Sequence, residues 1–426
     1  MKMKRLVINV IAATAGLAAG NAMAAGFQLL EQNASGLGNA YAGSAAVAEN
    51  ASTIYYNPAG MTQLQAREVS MGLALVRPSF KFSDQGSSAG VLSGAAKDAG
   101  GWAALPNGYV SWALDKDIYI GVGLGAPFGL VTEYNRDWIG SAHSIKFEIK
   151  TYNINPSIAW RVNEKVSLGF GLNWQRMEAE YVRRAGIFPA PPAPGPLSTS
   201  FATLKADDDS WGWNAGVLFN VSESTRVGVS YRSKVKHDLK GSLTVDGPSP
   251  AFNAAVSSGA TAAVDLPDTF IFSLAHRLDS RWDLLADVSW TGWSSVDRVD
   301  ILRAPSGVNA QTLDTDFQDT WRVALGANYQ LNDAWKLKFG VAFDETPVKN
   351  AEKRLTSLPD NDRLWFSFGG QWKASKASTL DMGVSYLHVS DTSINAGSPS
   401  DPTKGLVKGE YDSSVWILGA QYSMAF

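Results

Sequence analysis

Residues 166–174 read VSLGFGLNW, and this stretch alternates strictly between two kinds of side chain. Every second position, from Val166 to Trp174, is apolar, and the positions between them are Ser, Gly or Asn. Successive side chains of a β-strand point to opposite faces, so one face of this segment is apolar and the other is small and polar. The pattern predicts a strand with lipid on one side and a polar interior on the other.

The same alternation recurs along the chain from Arg67 onward. Residues 321–330 and 335–344 repeat it, with aromatic residues near the segment ends, as the two membrane interfaces favour. The alternative reading of such alternation is a soluble β-sandwich. We predict fourteen strands, near residues 67–82, 102–114, 117–130, 144–162, 165–184, 210–221, 225–240, 264–278, 281–297, 317–331, 334–346, 361–373, 378–391 and 411–426.

The predicted connections alternate between short and long. The short ones surround residues 115–116, 163–164, 222–224, 279–280, 332–333 and 375–376, and the long ones include 83–101, 185–209, 241–263, 298–316 and 392–410. Outer-membrane barrels have short periplasmic turns and longer outer loops, and an even strand number leaves both termini in the periplasm. The last strand closes on Phe426, an ending similar to that of bacterial outer-membrane barrels. The expected fold class is therefore an all-β membrane protein, an antiparallel outer-membrane β-barrel.

The first 24 residues have the pattern of a secretory signal. Three basic residues lie within the first five, an apolar run follows at 6–19, and residues 22–24, AMA, form a small-x-small cleavage site. The alternative is a membrane anchor, but the apolar run is shorter than the roughly 20 residues that a spanning helix needs. We predict cleavage after Ala24.

Composition limits the function classes. The chain has 37 basic and 40 acidic residues, a net charge of −3, and no cysteine. Mild acidity argues against a nucleic-acid partner, and the absence of cysteine excludes disulfides and thiol chemistry. The histidines lack the spacing of metal ligands, and no nucleophile or phosphate-loop motif stands out; they are His143, His237, His276 and His388. We predict no enzymatic activity, no cofactor and no metal.

The segment between the signal and the first strand is not a barrel strand. Residues 25–61 are rich in Gly and Ala, have no period of two, and end in the turn formers Asn57, Pro58, Ala59 and Gly60. A segment of this size has few places other than the barrel interior. We therefore predict a signal peptide at 1–24, a plug at 25–66, here called the hatch, and a transmembrane barrel at 67–426.

The hatch sequence resembles that of the long-chain fatty-acid outer-membrane transporters of the FadL type. The resemblance rests on AGFQL at 25–29, SGLG at 35–38, Ala40-Tyr41 and NPA at 57–59. It continues in the barrel, for example in WNAG at 213–216, and covers essentially the whole mature chain. The resemblance implies fourteen strands plugged by the hatch and uptake of long-chain fatty acids or other hydrophobic molecules. It also implies a third strand that kinks inward to open a lateral passage, and rearrangement of the hatch on ligand release.

The candidate ligand-binding residues are Ala25, Phe27, Leu29 and Arg183. The first three offer apolar groups in the hatch, although they could equally pack it against the wall. Arg183, at the end of the fifth strand, matches the position of a carboxylate-contacting arginine in the family, and its planar fork suits a carboxylate. It could instead face water or lipopolysaccharide. Where better-known members have a partner lysine, residues 312–316 read TLDTD and contain none.

The candidate gating residues are Asn57, Pro58, Ala59, Pro127 and Gly129. Pro58 fixes its own φ and biases the residue before it towards extended geometry, so residues 57–59 are expected to form a rigid turn. Pro127 cannot donate to a sheet ladder and the flanking glycines permit a bulge, so the kink is expected within 125–129. An ordinary bulge at the strand end is the alternative.

The seventh strand has a basic face. Arg226, Arg232, Lys234, Lys236 and Lys240 share one parity, and we expect them to face the lumen because charge on the lipid face costs several kcal/mol. Salt bridges to lumen carboxylates are the expected role.

These features predict passive transport of long-chain fatty acids across the outer membrane. The ligand is captured by outer loops, binds against the hatch and leaves sideways through the third strand. Alternatives are a transporter of aromatic or aliphatic hydrocarbons that uses the same route, and a barrel that serves as a surface receptor or adhesin. Export instead of import stays open. The expected partners are the hydrophobic small molecule, outer-membrane lipids and lipopolysaccharide, and the protein is expected to be a monomer.

Overall fold

The computed structural model describes residues 26–188 and 197–426. No helix in these two ranges is long and apolar enough to cross a membrane. Strand segments dominate, and all of them belong to one antiparallel sheet. The predicted cleavage site and Ala25 lie outside the described residues.

Twenty strand segments form the sheet in the described residues. They are β1 (Arg67–Asp84), β2 (Ala103–Ala113), β3 (Ile118–Gly125), β4 (Gly129–Glu133), β5 (Lys146–Arg161), β6 (Val166–Arg184), β7 (Phe201–Asn220), β8 (Thr225–Arg232), β9 (Val235–Asp246), β10 (Ser258–Leu266), β11 (Thr269–Arg277), β12 (Trp282–Thr291), β13 (Arg298–Ala304), β14 (Asn309–Asp314), β15 (Thr320–Gln330), β16 (Trp335–Asp344), β17 (Arg363–Lys373), β18 (Ser378–Val389), β19 (Thr392–Gly397) and β20 (Leu406–Ala425). Six pairs of segments are single barrel strands with a break: β3/β4, β8/β9, β10/β11, β12/β13, β14/β15 and β18/β19. The barrel therefore has fourteen strands.

The sheet closes on itself through its first and last strands. β1 pairs with β2 on one side and with β20 on the other, from Glu68 opposite Ala425 to Asp84 opposite Gly409. Each remaining strand pairs with its neighbours along the chain. Closure pairs the first strand with the last, which removes the two free edges that an open sheet would expose to lipid. The predicted fold class, a fourteen-stranded antiparallel barrel, is confirmed.

The two faces of the wall have the predicted polarity. Leu168 and Phe170 are 40% and 45% exposed on the outer face, whereas Ser167 and Asn173 are 2% and 1% exposed on the inner face. The outer face meets lipid and the inner face meets the hatch, so the strict alternation of residues 166–174 follows from these two environments.

Four of the predicted long loops are partly strand. β7 begins at residue 201 instead of 210, and β9, β10, β13, β14, β19 and the start of β20 occupy much of 241–263, 298–316 and 392–410. In these outer extensions the side chains that face outward are polar, as with Lys205 and Asp207, and those that face inward are apolar, as with Leu204. The polarity of the two faces is reversed there. The strand prediction assumed an apolar outer face, and it therefore ended these strands too early.

The lumen consequently changes character along its axis. At the level of the hatch its walls are polar, for example at Asn214 and Ser273. In the outer half, buried apolar residues from many strands form one cluster, here called the apolar lumen cluster. Its members include Phe27, Phe128, Ile149, Met177, Tyr181, Leu204, Leu239, Val264, Trp293, Ile301 and Phe317.

The basic face predicted for the seventh strand is only partly in the lumen. Arg226 and Arg232, in β8, point inward and hydrogen-bond to hatch carbonyls. Lys236 and Lys240, in β9, are exposed on the outside. The break between β8 and β9 shifts the register against β7 by one residue, which moves all later side chains to the opposite face.

Residues 26–66 of the hatch lie inside the barrel and contact several sides of its wall. The hatch contains a short α-helix, α1 (Thr53–Tyr56), and 3-10 helices at Leu37–Asn39 and Pro58–Gln63. Asn39 donates to the carbonyl of Phe339 at 3.1 Å, and the backbone of Ala45 donates to Ser273 at 3.0 Å. The remaining helical elements are α2 (Pro250–Val256) and 3-10 helices at Leu197–Thr199 and Trp293–Ser295.

Glycines in the wall allow this close approach. A Cβ at Gly340 would lie 2.1 Å from the carbonyl carbon of Asn39, and one at Gly169 would lie 2.1 Å from the amide of Ala59. We call this set the glycine seat: Gly169, Gly216, Gly228, Gly326, Gly340, Gly369, Gly383 and Gly419. The hatch therefore packs closely against the wall, with its backbone next to Gly169, Gly228 and Gly340 and its side chains next to Gly216, Gly326 and Gly419.

Candidate functional site

The third barrel strand is broken between β3 and β4. Residues 126–128 leave the ladder, and on the side away from β1 the strand β2 pairs with β3 alone in the described residues, from Ala113 opposite Tyr119 to Gly108 opposite Leu124. Pro127 has no amide hydrogen to donate, which fits the loss of pairing there. In the described residues no ladder joins β2 to β4, so the wall has an interruption at the position where the resemblance placed the kink.

The start of the hatch fills this interruption. Leu29 donates its amide to the carbonyl of Pro127 at 2.8 Å, and Gly129 donates to the carbonyl of Phe27 at 2.9 Å. Gln28 and Phe128 thus form an antiparallel bridge. The peptide groups that β4 would offer to β2 are instead satisfied in part by the hatch, which makes residues 27–29 a short substitute strand.

Gln32 forms a second link between the hatch and the break. Its side chain donates to the carbonyl of Ala126 at 2.7 Å and accepts from the Ala126 amide at 3.2 Å. The hydroxyl of Tyr109, on β2, donates to the Gln32 carbonyl at 2.6 Å. Gln32 therefore bridges the two strands that no longer pair with each other. No sequence pattern indicates this role, because a glutamine in a loop has many ordinary explanations.

Phe27 lies in an aromatic cluster between the hatch and the wall. Its ring centroid is 4.8 Å from that of Trp293 and 5.9 Å from that of Phe128, and Phe317 lies 6.0 Å beyond Trp293. Tilted and edge-to-face aromatic contacts of this kind are stabilising. Phe27 is 4% exposed, so in this state it packs against neighbouring rings and leaves no open surface for a ligand.

Little free space adjoins these hatch residues. Leu29 is 1% exposed. A cavity of about 40 Å³ lies beside the hatch, lined among others by Gln28, Leu30, Trp293 and Arg322. Binding sites for drug-sized ligands occupy roughly 300–1,000 Å³, so a long acyl chain does not fit in this cavity. Ligand contact with the hatch at this place requires the hatch or the surrounding side chains to move.

The turn at residues 57–59 is rigid and completely buried. The side-chain amide nitrogen of Asn57, Nδ2, donates to the carbonyls of Ala45 at 2.8 Å and Val217 at 3.0 Å. Its side-chain oxygen accepts from the Ala59 amide at 3.1 Å, which caps the 3-10 helix that begins at Pro58. Asn57 thus joins two parts of the hatch to β7. The turn contacts β6 at Gly169 and β7 at Gly216.

Replacing Asn57 with alanine is expected to loosen the hatch while the barrel still assembles. The change removes three buried hydrogen bonds, to the carbonyls of Ala45 and Val217 and from the amide of Ala59, each worth about 0.5–1.5 kcal/mol. Limited proteolysis of the folded protein should cut the hatch faster, and fatty-acid uptake should fall. Gln65→Ala, at an exposed hatch position, is the matched control and should behave like the wild type. An unchanged proteolysis rate in Asn57→Ala would contradict this role.

The two adjacent arginines at the end of β6 differ in their surroundings. Arg184 is 6% exposed and is fully engaged, with bonds to the Arg136 carbonyl at 2.6 Å and to Asp137 at 3.1 Å. Arg183 donates Nε to the Gln311 side chain and Nη1 to the Arg184 carbonyl at 3.0 Å. Its Nη2 makes no hydrogen bond within the described residues. Arg183 is thus the arginine with a free donor, above Tyr181 of the apolar lumen cluster.

Residues 312–316 offer no cation to this place. Their acidic side chains pair with lysines from the loop that follows β16: Asp314 lies 2.7 Å from Lys353, and Asp316 contacts both Lys349 and Lys353. These lysines are neutralised at the outer surface. Residues 312–316 and the lysines that pair with them therefore supply no second cation beside Arg183.

Lys338, on β16, links the hatch to the wall at β16 and β18. Its ammonium group is buried and donates to the Ser35 carbonyl at 2.8 Å, to Glu49 at 2.6 Å and to Asp381 at 2.9 Å. A buried cation needs this number of partners to offset its desolvation. Sequence reasoning missed Lys338, because one lysine in an alternating strand looks like any lumen charge.

Beyond the hatch, towards the short turns, the lumen opens into a polar vestibule. Its volume is about 760 Å³, and its lining includes Glu49 and Gln63 of the hatch with Glu164, Lys165 and Arg226 of the wall. The hatch thus separates an apolar outer lumen from a water-accessible inner one. A barrel plugged in this way, with a wall interruption beside the plug, defines a class of outer-membrane transport proteins.

Comparison with known proteins gives the family. Residues 15–426 match the family described as "Outer membrane protein transport protein (OMPP1/FadL/TodX)". The long-chain fatty acid transport protein of Escherichia coli (strain K12) is 30% identical over 450 residues, with 98% of both chains covered. The 47 kDa outer membrane protein of Pasteurella multocida is 32% identical over 406 residues, covering 91% of this chain and 92% of the other.

Solved structures agree on the fold. A Pseudomonas aeruginosa FadL homologue superimposes with a TM-score of 0.87 at 22% identity, covering 94% of this chain and 99% of the other. The Ralstonia pickettii toluene transporter TbuX gives 0.65 at 16% identity, covering 93% and 100%. The chain belongs to the OMPP1/FadL/TodX family. It is a transporter of the bacterial outer membrane and not an enzyme, which confirms the resemblance, the location and the function class expected from the sequence.

Proposed function

We propose that the protein mediates passive uptake of long-chain fatty acids across the outer membrane. The ligand enters between the outer loops, with its carboxylate at Arg183 and its acyl chain in the apolar half of the lumen. It then contacts Phe27 and Leu29 as the hatch moves, and leaves sideways through the break in the third strand. We keep the ligand-binding role proposed for Ala25. We also keep the gating roles proposed for Asn57, Pro58, Ala59, Pro127 and Gly129.

The apolar lumen cluster carries this proposal. It reaches from Tyr181, next to Arg183, to Phe128 at the wall interruption and Phe27 in the hatch. A cation at one end of an apolar path is complementary to a carboxylate with a long hydrocarbon tail. Curated relatives at about 30% identity named long-chain fatty acid transport proteins support the same ligand class.

The break beside the hatch supports sideways release. Residues 126–128 have left the wall ladder, and the hydrogen bonds of Ala126 and Pro127 go to residues 29 and 32 of the hatch, whereas Phe128 bonds to Thr151 of β5. Separation of the hatch from this segment would remove the pairing of Ala126 and Pro127 and expose a gap towards lipid. An acyl chain is more soluble in the bilayer than in the polar vestibule below.

A hydrocarbon ligand is the second candidate, because residues 312–316 lack the lysine found in better-known members. Binding of oleate and of toluene to the purified protein distinguishes the two. We expect oleate to bind and to compete with other long-chain fatty acids. Toluene binding without oleate binding would contradict fatty-acid uptake and favour the hydrocarbon route.

A further inference from the structure

A second cation lies near Arg183, on the turn that joins β19 to β20. A chain of contacts connects them. Arg183 bonds to Gln311, Gln311 donates to the Tyr181 hydroxyl at 2.9 Å, and Tyr181 donates to the backbone carbonyl of His143. The His143 ring in turn contacts the carbonyl of Gly405 at 3.3 Å. Lys404 directly precedes Gly405, so four outer segments bring it to the same rim of the lumen.

The turn that presents Lys404 is held firmly. The Asp401 side chain accepts hydrogen bonds from the amides of Thr403 at 2.7 Å and Lys404 at 3.2 Å. Gly405 has a φ of +70°, and a Cβ there would lie 2.2 Å from the carbonyl of Ser88. The position of Lys404 is therefore set by backbone contacts that do not involve its own side chain.

The Lys404 ammonium group is only partly exposed and has no ion pair or hydrogen bond within the described residues. Burial and, to a lesser extent, the positive charge of Arg183 lower the pKa of Lys404 to about 8, against the opposing effect of Asp401. A partly desolvated cation without a partner gains more from a bound anion than a fully hydrated one does.

The other charges nearby leave a positive excess. His143 is neutral near pH 7, because burial lowers its pKa to about 4. Arg303 acts on Arg183 as a further positive charge. Asp401 is the carboxylate that acts on Arg183, Lys404 and His143 alike, and its Oδ1 is engaged in the turn. The cations Arg183, Lys404 and Arg303 therefore outnumber the one carboxylate that acts on this rim.

We propose that Lys404 is the second cation of the head-group site, and that it binds the ligand carboxylate together with Arg183. The inference rests on the proposed fatty-acid function. It assigns to the last outer loop the task for which residues 312–316 have no lysine. The ligand class it selects is a long-chain carboxylate in preference to a neutral molecule of the same length.

Binding of oleate and oleyl alcohol to Lys404→Gln tests the inference. The substitution removes the charge but keeps a similar length, and the turn does not depend on the replaced side chain. We expect oleate to bind about tenfold more weakly, as loss of a charge-assisted hydrogen bond predicts, with oleyl alcohol unaffected. Lys408→Gln, at an exposed lysine on β20, is the matched control and should leave both affinities unchanged.

The pH dependence provides a second measurement. Lys404 loses its proton as pH rises through about 8, so oleate affinity should fall between pH 7 and pH 9 in the wild type. Lys404→Arg stays charged over this range, so its oleate affinity should not fall between pH 7 and pH 9. Any fall that remains in this variant would come from titration of the ligand.

The outcomes separate the inference from the proposed function. A wild type that does not bind oleate contradicts both. A wild type that binds oleate, with Lys404→Gln binding it equally well, overturns the inference alone. Equal weakening of oleate and oleyl alcohol in Lys404→Gln would also overturn it, because such a loss reflects loop packing and not charge.

Discussion

Gly340→Val is expected to keep the hatch from seating and to turn the barrel into an open pore. A Cβ at this position would lie 2.1 Å from the carbonyl carbon of Asn39 and 2.4 Å from the amide of Ala40. Overpacking against side chains costs about 1–3 kcal/mol, but here the obstacle is hatch backbone, which cannot rotate away. The wall itself should still form, because valine favours strands.

Conductance of the purified protein in planar bilayers measures this effect. We expect an increase of roughly tenfold or more, since a barrel of this size without its plug encloses a water-filled lumen. Gly370→Val, on the neighbouring strand β17, is the matched control. A Cβ there has its nearest neighbours at 3.7 and 3.9 Å, so it fits without collision. Leakage through both variants would show that the added valine disturbs the wall and not the hatch.

A disulfide between positions 28 and 128 is expected to block uptake. Gln28 and Phe128 form an antiparallel bridge between hatch and third strand, flanked by the two hydrogen bonds of residues 27 and 29. Such a non-hydrogen-bonded pair brings the side chains close, within the range that a disulfide spans. The chain has no cysteine, so Gln28→Cys with Phe128→Cys introduces the only two thiols.

Uptake of a labelled fatty acid under oxidising and reducing conditions tests the disulfide. If release requires the hatch to separate from the broken strand, uptake by the oxidised protein should fall by about tenfold or more and recover on reduction, since a disulfide opens slowly without reductant. Each single-cysteine variant controls for loss of the original side chain. Undiminished uptake with the disulfide formed would mean that ligands leave without this separation.

The alternation of apolar and polar residues made most of the barrel strands predictable, and β6 and β7 show why. In β6 lipid outside and polar hatch contacts inside impose opposite demands on alternate residues, so the period of two is clear. In β7 the demands reverse above the membrane, where Leu204 faces an apolar lumen and Lys205 faces water. A prediction that requires an apolar outer face therefore misses the part of β7 above the membrane.

The candidate site was less predictable, because it depends on contacts between distant segments. The one-residue register shift between β8 and β9 determines whether Lys236 faces lumen or water, and a Ser-Lys break carries no strong local sign of it. Lys404 reaches the rim of Arg183 through a turn more than 200 residues away in sequence. Resemblance located Arg183, whereas only the packing of the outer loops relates Lys404 to it.

The change of wall polarity at the hatch has a consequence for the direction of travel. A hydrocarbon chain that moved straight down the axis would pass from oily surroundings into the aqueous vestibule, at a partition cost of about 0.8 kcal/mol for each methylene. A chain that moved into the bilayer at the level of β4 would meet no such cost. In the proposed route this difference in solubility favours lateral release, so the wall has only to open at the third strand and no energy input is required.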